Sequence, residues 1–181
     1  DEFTPYGVDT IYLADDKRLF PFLNMPHSRI VSKLLTENEA DIVLFGATSI
    51  GRDLAPRVAS TLRCGLTADC TSLVIGDHYV KKTDTTYKNL LYQIRPAFGG
   101  NIVATIINPD MHPQMATVRE GVMKKEEVRT KKTPAIIKVD VSKYVEDADF
   151  AVAIIDRHIE AQKINIKGAQ IIVAGGYGVG S

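Results

Sequence analysis

The chain has 181 residues, 45% of them apolar and 24% charged, with 22 basic and 22 acidic side chains and a formal net charge of zero. That length fits one α/β domain, or one domain plus the edge of another, and the balanced charge supplies no global field towards nucleic acid or a membrane surface. No apolar run reaches the roughly 18 residues that a bilayer span takes, no signal peptide is recognisable, and Cys64 and Cys70 form no secreted-type framework, so a reducing, cytoplasmic compartment is expected.

Taken in order, residues 10–13 read as a strand and Asp15-Asp16-Lys17-Arg18 as a polar connection. Residues 26–37 read as an amphipathic helix with Ile30, Val31, Leu34 and Leu35 on one side. Ile42, Val43, Leu44 and Phe45 then form an apolar run with no polar face, as expected of a strand covered on both sides. The run ends in Gly46-Ala47-Thr48-Ser49-Ile50-Gly51-Arg52-Asp53, which opens a second helix. Leu54, Val58 and Leu62 share a face of it, flanked by Ala55 and Ala59. Pro56 is expected in that helix's first turn, and Asp53 at its N-terminus. The order β-α-β-α implies a parallel sheet with right-handed crossovers.

The pattern changes after Leu62. Residues 65–71 read as a loop entering a strand through 72–75, and Lys81 to Thr86 as a charged tip between extended segments. Residues 90–95 and 101–108 read as strands, and 108–113 as a turn into a short strand at 114–119. This whole middle section is expected to be antiparallel, because its connections are too short for crossover helices. Residues 124–133 read as a solvated loop, 135–141 and 149–159 as extended segments, and 163–168 as a junction to a second domain. Ile171-Ile172-Val173-Ala174 reads as a buried strand before Gly175-Gly176-Tyr177-Gly178. A strand and glycine turn normally need a following helix to bury them. With no opening methionine either, the expectation is a piece of a longer subunit.

The chemistry centres on the first glycine turn. Gly46-x4-Gly51 has P-loop spacing, yet Arg52-Asp53 stand where that motif needs lysine and a hydroxyl, so triphosphate hydrolysis is excluded. Two readings stay open: glycines serving backbone geometry alone, or Thr48, Ser49, the turn's N–H groups and Arg52 addressing an anionic or polar cofactor at a helix N-terminus. Arg95-Pro96-Ala97-Phe98-Gly99-Gly100-Asn101 sets a cation at a strand end beside a bend that admits close backbone approach. The glycines at 175–180 lack dinucleotide-fingerprint spacing. His27, His78, His112 and His158 show no ligand spacing, so no metal is expected. Asp69 beside Cys70 would raise rather than lower the thiol pKa, which removes an activated cysteine.

Residues 46–59, Gly65-Leu66-Thr67-Ala68-Asp69-Cys70-Thr71, Arg95 to Ile102, Pro113-Gln114-Met115-Ala116-Thr117-Val118-Arg119 and Ala174-Gly175-Gly176-x-Gly178 closely resemble, in order, the alpha subunit of electron transfer flavoproteins. The forms at 65–71 and 95–102 look most like the bacterial subgroup that includes electron-bifurcating members. The resemblance implies a three-layer α/β/α domain with a mainly parallel sheet of the adenine nucleotide alpha hydrolase type, plus an antiparallel section. It implies domain one over residues 1–167 and the first strand of an FAD-binding domain over 168–181. It also implies a heterodimer with a beta subunit that carries electrons between acyl-CoA or other flavin dehydrogenases through FAD, most of whose ligands lie outside this chain. Arg95 and Arg52 are then the residues nearest a redox centre. Thr48, Ser49 and Gly51 would line the same subunit interface, where a nicotinamide donor (NADH) docks. Gly176 and Gly178 belong to the FAD side, and Tyr177 departs from the arginine usual between them. The remaining alternatives are a stand-alone adenine-nucleotide-binding module, which the Arg95 and Arg119 motifs do not fit, and a non-catalytic interaction domain.

Overall fold

A computed structural model of the chain describes residues 2–97, 102–128, 132–158, 166 and 169–180. Strand β1 (Thr10–Leu13) leads to helix α1 (Asn24–Glu37), strand β2 (Ile42–Gly46), helix α2 (Ser49–Leu62) and strand β3 (Leu66–Cys70). Then come β4 (Ser72–Val80), β5 (Thr85–Pro96), β6 (Val103–Ile106), β7 (Gln114–Val118) and β8 (Ala135–Lys138). The fold is α/β: parallel sheets with helices, joined to an antiparallel sheet.

The central sheet has the order β2-β7-β3, parallel throughout, with Val43 opposite Met115 and Leu66 opposite the same Met115. Side chains of paired parallel residues share a face, so these three point together at the helices. There Val43, Leu54, Val58, Ala59 and Met115 form a core, with Val31 and Leu35 of α1 packed against it. Each fully buried member contributes about 1.5–3 kcal/mol of transfer free energy. Ile30 of α1 joins a second cluster with Val141 and Val145, with Leu34 packed against it. Helix α1 therefore packs against two cores. The parallel pair β1-β8 forms a separate small sheet, in register from Thr10 with Ala135 to Leu13 with Lys138.

Hydrogen bonds at Gln114 and Thr71 tie the antiparallel sheet β4-β5-β6 to the central one. Leu91 N donates to the Gln114 side-chain Oε1 at 2.7 Å, and Thr71 N donates to the Ile94 carbonyl at 2.8 Å. Gln114 is 1% exposed, so its amide oxygen answers a backbone donor that water cannot reach.

Several sequence expectations need correction. Residues 66–70 form a strand, β3, and β7 is parallel and central rather than antiparallel, because α2 and the inserted β4–β6 sheet supply the crossing chain. With β7 in the middle, β2 lies at a sheet edge and Leu44 is 51% exposed rather than covered. Helix α2 starts at Ser49, so Pro56 falls in its interior and Asp53 lies past its first turn. The 149–159 segment, expected to be extended, begins within a 3-10 turn (Asp147–Phe150), its residues 151–158 join no ladder, and Ile159 lies outside the described residues. The 171–174 run is exposed, Val173 at 94%, and pairs with no strand among the described residues. An apolar run without a ladder partner has nowhere to place its backbone N–H and C=O groups except water. The 163–168 junction lies outside the described residues apart from Ile166.

Candidate functional site

The C-terminal ends of β2, β7 and β3 and the N-terminus of α2 meet around one cleft of about 550 Å³, lined by Ala47, Arg52, Asp69, Arg119, Glu120 and Gly121. Strand ends and a helix start converge here because the strands are parallel, the usual place for a ligand in an open α/β sheet. The turn from β2 is pinned to the central strand by Ala47 N donating to the Val118 carbonyl at 2.7 Å. Thr48 caps α2: its Oγ1 accepts from Gly51 N at 3.1 Å, and its carbonyl accepts from Arg52 N at 2.9 Å. Gly51 is buried with its α-carbon turned onto the Gly46 carbonyl, which leaves no room for a side chain. Here the spacing of the two glycines has a geometric cause, while Thr48 and Ser49 remain exposed at the helix start.

Arg52 does not reach out from the turn freely. Its Nε donates to the Ala47 carbonyl at 2.8 Å, and its Nη2 donates to Asp69 Oδ1 at 2.9 Å. The other oxygen of that carboxylate accepts from Arg119, at 2.6 Å from Nη2 and 3.2 Å from Nε. Asp69 stands in the left-handed region at φ 64, where β3 shifts register between Thr67 and Cys70. Aspartate tolerates that conformation better than most side chains. The bulge takes Asp69 N off the ladder, and Thr117 Oγ1 accepts from it at 2.8 Å. The two guanidiniums hold the Asp69 carboxyl below the usual carboxylate range, Arg119 most of all through its hydrogen bonds, against a smaller opposing effect of burial. Arg119 is pushed up in turn by the same carboxylate.

Arg95 lies near the end of β5, one residue past the Ile94 carbonyl that Thr71 N donates to. It is half-buried, and among the described residues no carboxylate pairs with it. Its charge reaches the Cys70 thiol, which burial pushes up, Arg95 pulls back and Asp69 pushes up further. Cys70 is fully buried, so a neutral thiol is the form expected there.

The structure thus gathers Thr48, Ser49, Gly51 and Arg52 at one turn, with Arg95 on a neighbouring sheet and, among the described residues, no hydrogen bond or ion pair joining it to the cleft. Gly176 and Gly178 sit in the exposed terminal segment, where an added Cβ would meet nothing within 4 Å. Asp69 and Arg119 are site residues that the sequence reading did not single out. The signal lay in motifs already quoted, an aspartate before Cys70 in a segment read as a loop and an arginine closing the 114–119 strand, but their pairing joins residues 50 apart. Among the described residues no cluster of three or more His, Cys, Asp or Glu side chains could hold a metal ion. No helix among them is long and apolar enough to cross a membrane.

Residues 1–144 match the family model of the electron transfer flavoprotein domain. The electron transfer flavoprotein subunit alpha of Thermoanaerobacterium thermosaccharolyticum is 42% identical over 176 residues, which is 97% of this chain and 50% of that protein. The subunit alpha of Megasphaera elsdenii is 39% identical over 181 residues, 99% of this chain and 50% of the relative. The lactate dehydrogenase (NAD(+),ferredoxin) subunit LctC of Acetobacterium woodii is 36% identical over 179 residues, 99% of this chain and 40% of the relative. The chain spans about half the length of the curated relatives it matches.

Proposed function

The chain belongs to the electron transfer flavoprotein family, and we propose that it supplies the first domain of an alpha subunit that, with a beta subunit, shuttles electrons between dehydrogenases by way of FAD. In this reading residues 1–167 are that domain and residues 168–181 begin the FAD-binding one. The complex is an electron carrier rather than an enzyme in its own right, serving acyl-CoA or other flavin dehydrogenases in the cytoplasm.

The observation that carries the reading at residue level is Arg95. A permanent cation, half-buried and without a carboxylate partner among the described residues, is costly to leave uncompensated. An anionic group brought across a subunit interface would compensate it. The residues present fit a flavin in that respect, and the isoalloxazine ring, when bound, is what carries the electrons. Arg95 then stabilises negative charge on the reduced ring, because a guanidinium keeps its charge and donates in a fixed fork. Arg52 stands with it nearest the redox centre. Thr48, Ser49 and Gly51 form the interface edge at which a nicotinamide donor, NADH, docks. Gly176 and Gly178 are assigned to the FAD held mainly by residues outside this chain.

The test is Arg95→Ala in the intact heterodimer. The midpoint potential of the flavin facing this domain should fall, because the reduced form loses a positive neighbour. An unchanged potential overturns the assignment of Arg95.

A further inference from the structure

We propose that Asp69 is a positioning residue that fixes the Arg52 and Arg119 guanidiniums along the cleft rim for an anionic part of the flavin presented by the partner subunit. The inference rests on the flavin reading above and adds to it a residue and a mechanism.

The geometry is that of a shared clamp. One carboxylate serves two arginines, one oxygen each, and the arginines come from different elements: Arg52 from the first turn of α2 and Arg119 from just past β7. The Asp69 side chain is 17% exposed while those of Arg52 and Arg119 are 52% and 44% exposed, so the acceptor is covered and the donors face the cleft. Arg52 spends Nε and Nη2 on the protein, and so does Arg119. That leaves Nη1 of each without a protein partner among the described residues, two donor groups held in fixed directions beside an open volume. Fixing a long side chain in advance removes rotamer entropy that binding would otherwise cost. The aspartate is itself fixed, by the Thr117 hydroxyl on its amide and by the bulge that turns it to φ 64.

Asp69→Asn separates positioning from folding, because asparagine is at home in the left-handed region. Its side chain accepts through one atom only and donates through the other, so it cannot give each guanidinium an oxygen of its own. The full-length chain would be purified with its beta subunit as wild type, Asp69→Asn, the double variant Arg52→Ala/Arg119→Ala, and the triple variant. The readout is the midpoint potential of each flavin. The expected result is a shift in Asp69→Asn that disappears when both arginines are absent. A shift that persists undiminished without the arginines is the bare charge effect of Asp69, and overturns the positioning role. A shift from the arginine variants with none from Asp69→Asn overturns the inference and leaves the flavin reading standing. No shift in any variant overturns the inference together with the placement of Arg52 beside the flavin.

Discussion

A Cβ built on Gly51 would stand 1.9 Å from the carbonyl oxygen of Gly46. The first glycine ends β2 and the second lies in the first turn of α2, so the two backbones touch where the chain reverses. Nothing flexible is in the way: the clash is with backbone. Gly51→Ala is therefore expected to destabilise the domain by about 3 kcal/mol or more, the upper end of overpacking costs. Urea unfolding midpoints of the two proteins measure it, and a loss below about 1 kcal/mol would contradict the close approach.

Thr48 caps α2 through its hydroxyl, so its methyl is dispensable. Thr48→Ser should hold stability within about 0.5 kcal/mol, while Thr48→Ala should cost about 1 kcal/mol by stranding Gly51 N. Thermal or urea unfolding distinguishes the two. Equal losses in both variants would place the threonine's contribution in packing.

Asp69 gives the acid limb of stability a definite sign. Its folded pKa lies below the ordinary 3.8, chiefly through Arg119. A depressed carboxylate stabilises the fold fully above its unfolded pKa, and that stabilisation drains away as pH falls through the lower folded value. Wild type should lose stability from about pH 4 downward more steeply than Asp69→Asn, which has no proton to take up there. Unfolding curves between neutral pH and the acid limit measure the difference. Asp16, held at about 2 by its hydrogen bonds from Arg18, loses its own stabilisation over the same acid range, but equally in both proteins, so the difference between the two curves belongs to Asp69.

Gln114 links the central sheet to the antiparallel one through a single buried acceptor. Gln114→Met keeps the volume and removes the oxygen, leaving Leu91 N unsatisfied in a place water does not reach. The expected cost is about 1–3 kcal/mol. Amide hydrogen exchange at Leu91 should accelerate more than exchange at Val43, which lies on the sheet's helix side. Uniform acceleration would mean that the link carries no local role.

The helices were legible in the sequence because their periodicity has one physical source, a face turned to a core: Leu54 and Val58 recur at the helical interval and both are buried. The glycine turn was legible because spacing encodes a close approach. β3 was hidden by its own irregularity, since Thr67, Asp69 and Cys70 neither alternate nor run apolar, and the bulge at Asp69 breaks the period of two. β7 was found as a strand but misplaced. Its residues specify burial on both faces, Met115 and Ala116 alike, yet which strands flank it is decided by the packing of distant segments. In the candidate site, Thr48 and Arg52 lie within one readable turn. The Asp69–Arg119 contact closes only once β3 and β7 are side by side, so spacing could not announce it.

The spatial order β2-β7-β3 also has a consequence in time. A ribosome delivers β2 and β3 first and the strand between them last, after some forty residues of intervening arm. Until β7 emerges, its two neighbours have no ladder with each other, and both present unpaired edges to whatever is nearby. Closing the sheet demands a long-range insertion rather than a local zip, the kind of step that slows folding and lengthens exposure to aggregation. Val118 completes the sheet and also anchors the turn at Ala47, so the cleft assembles only when the last strand arrives.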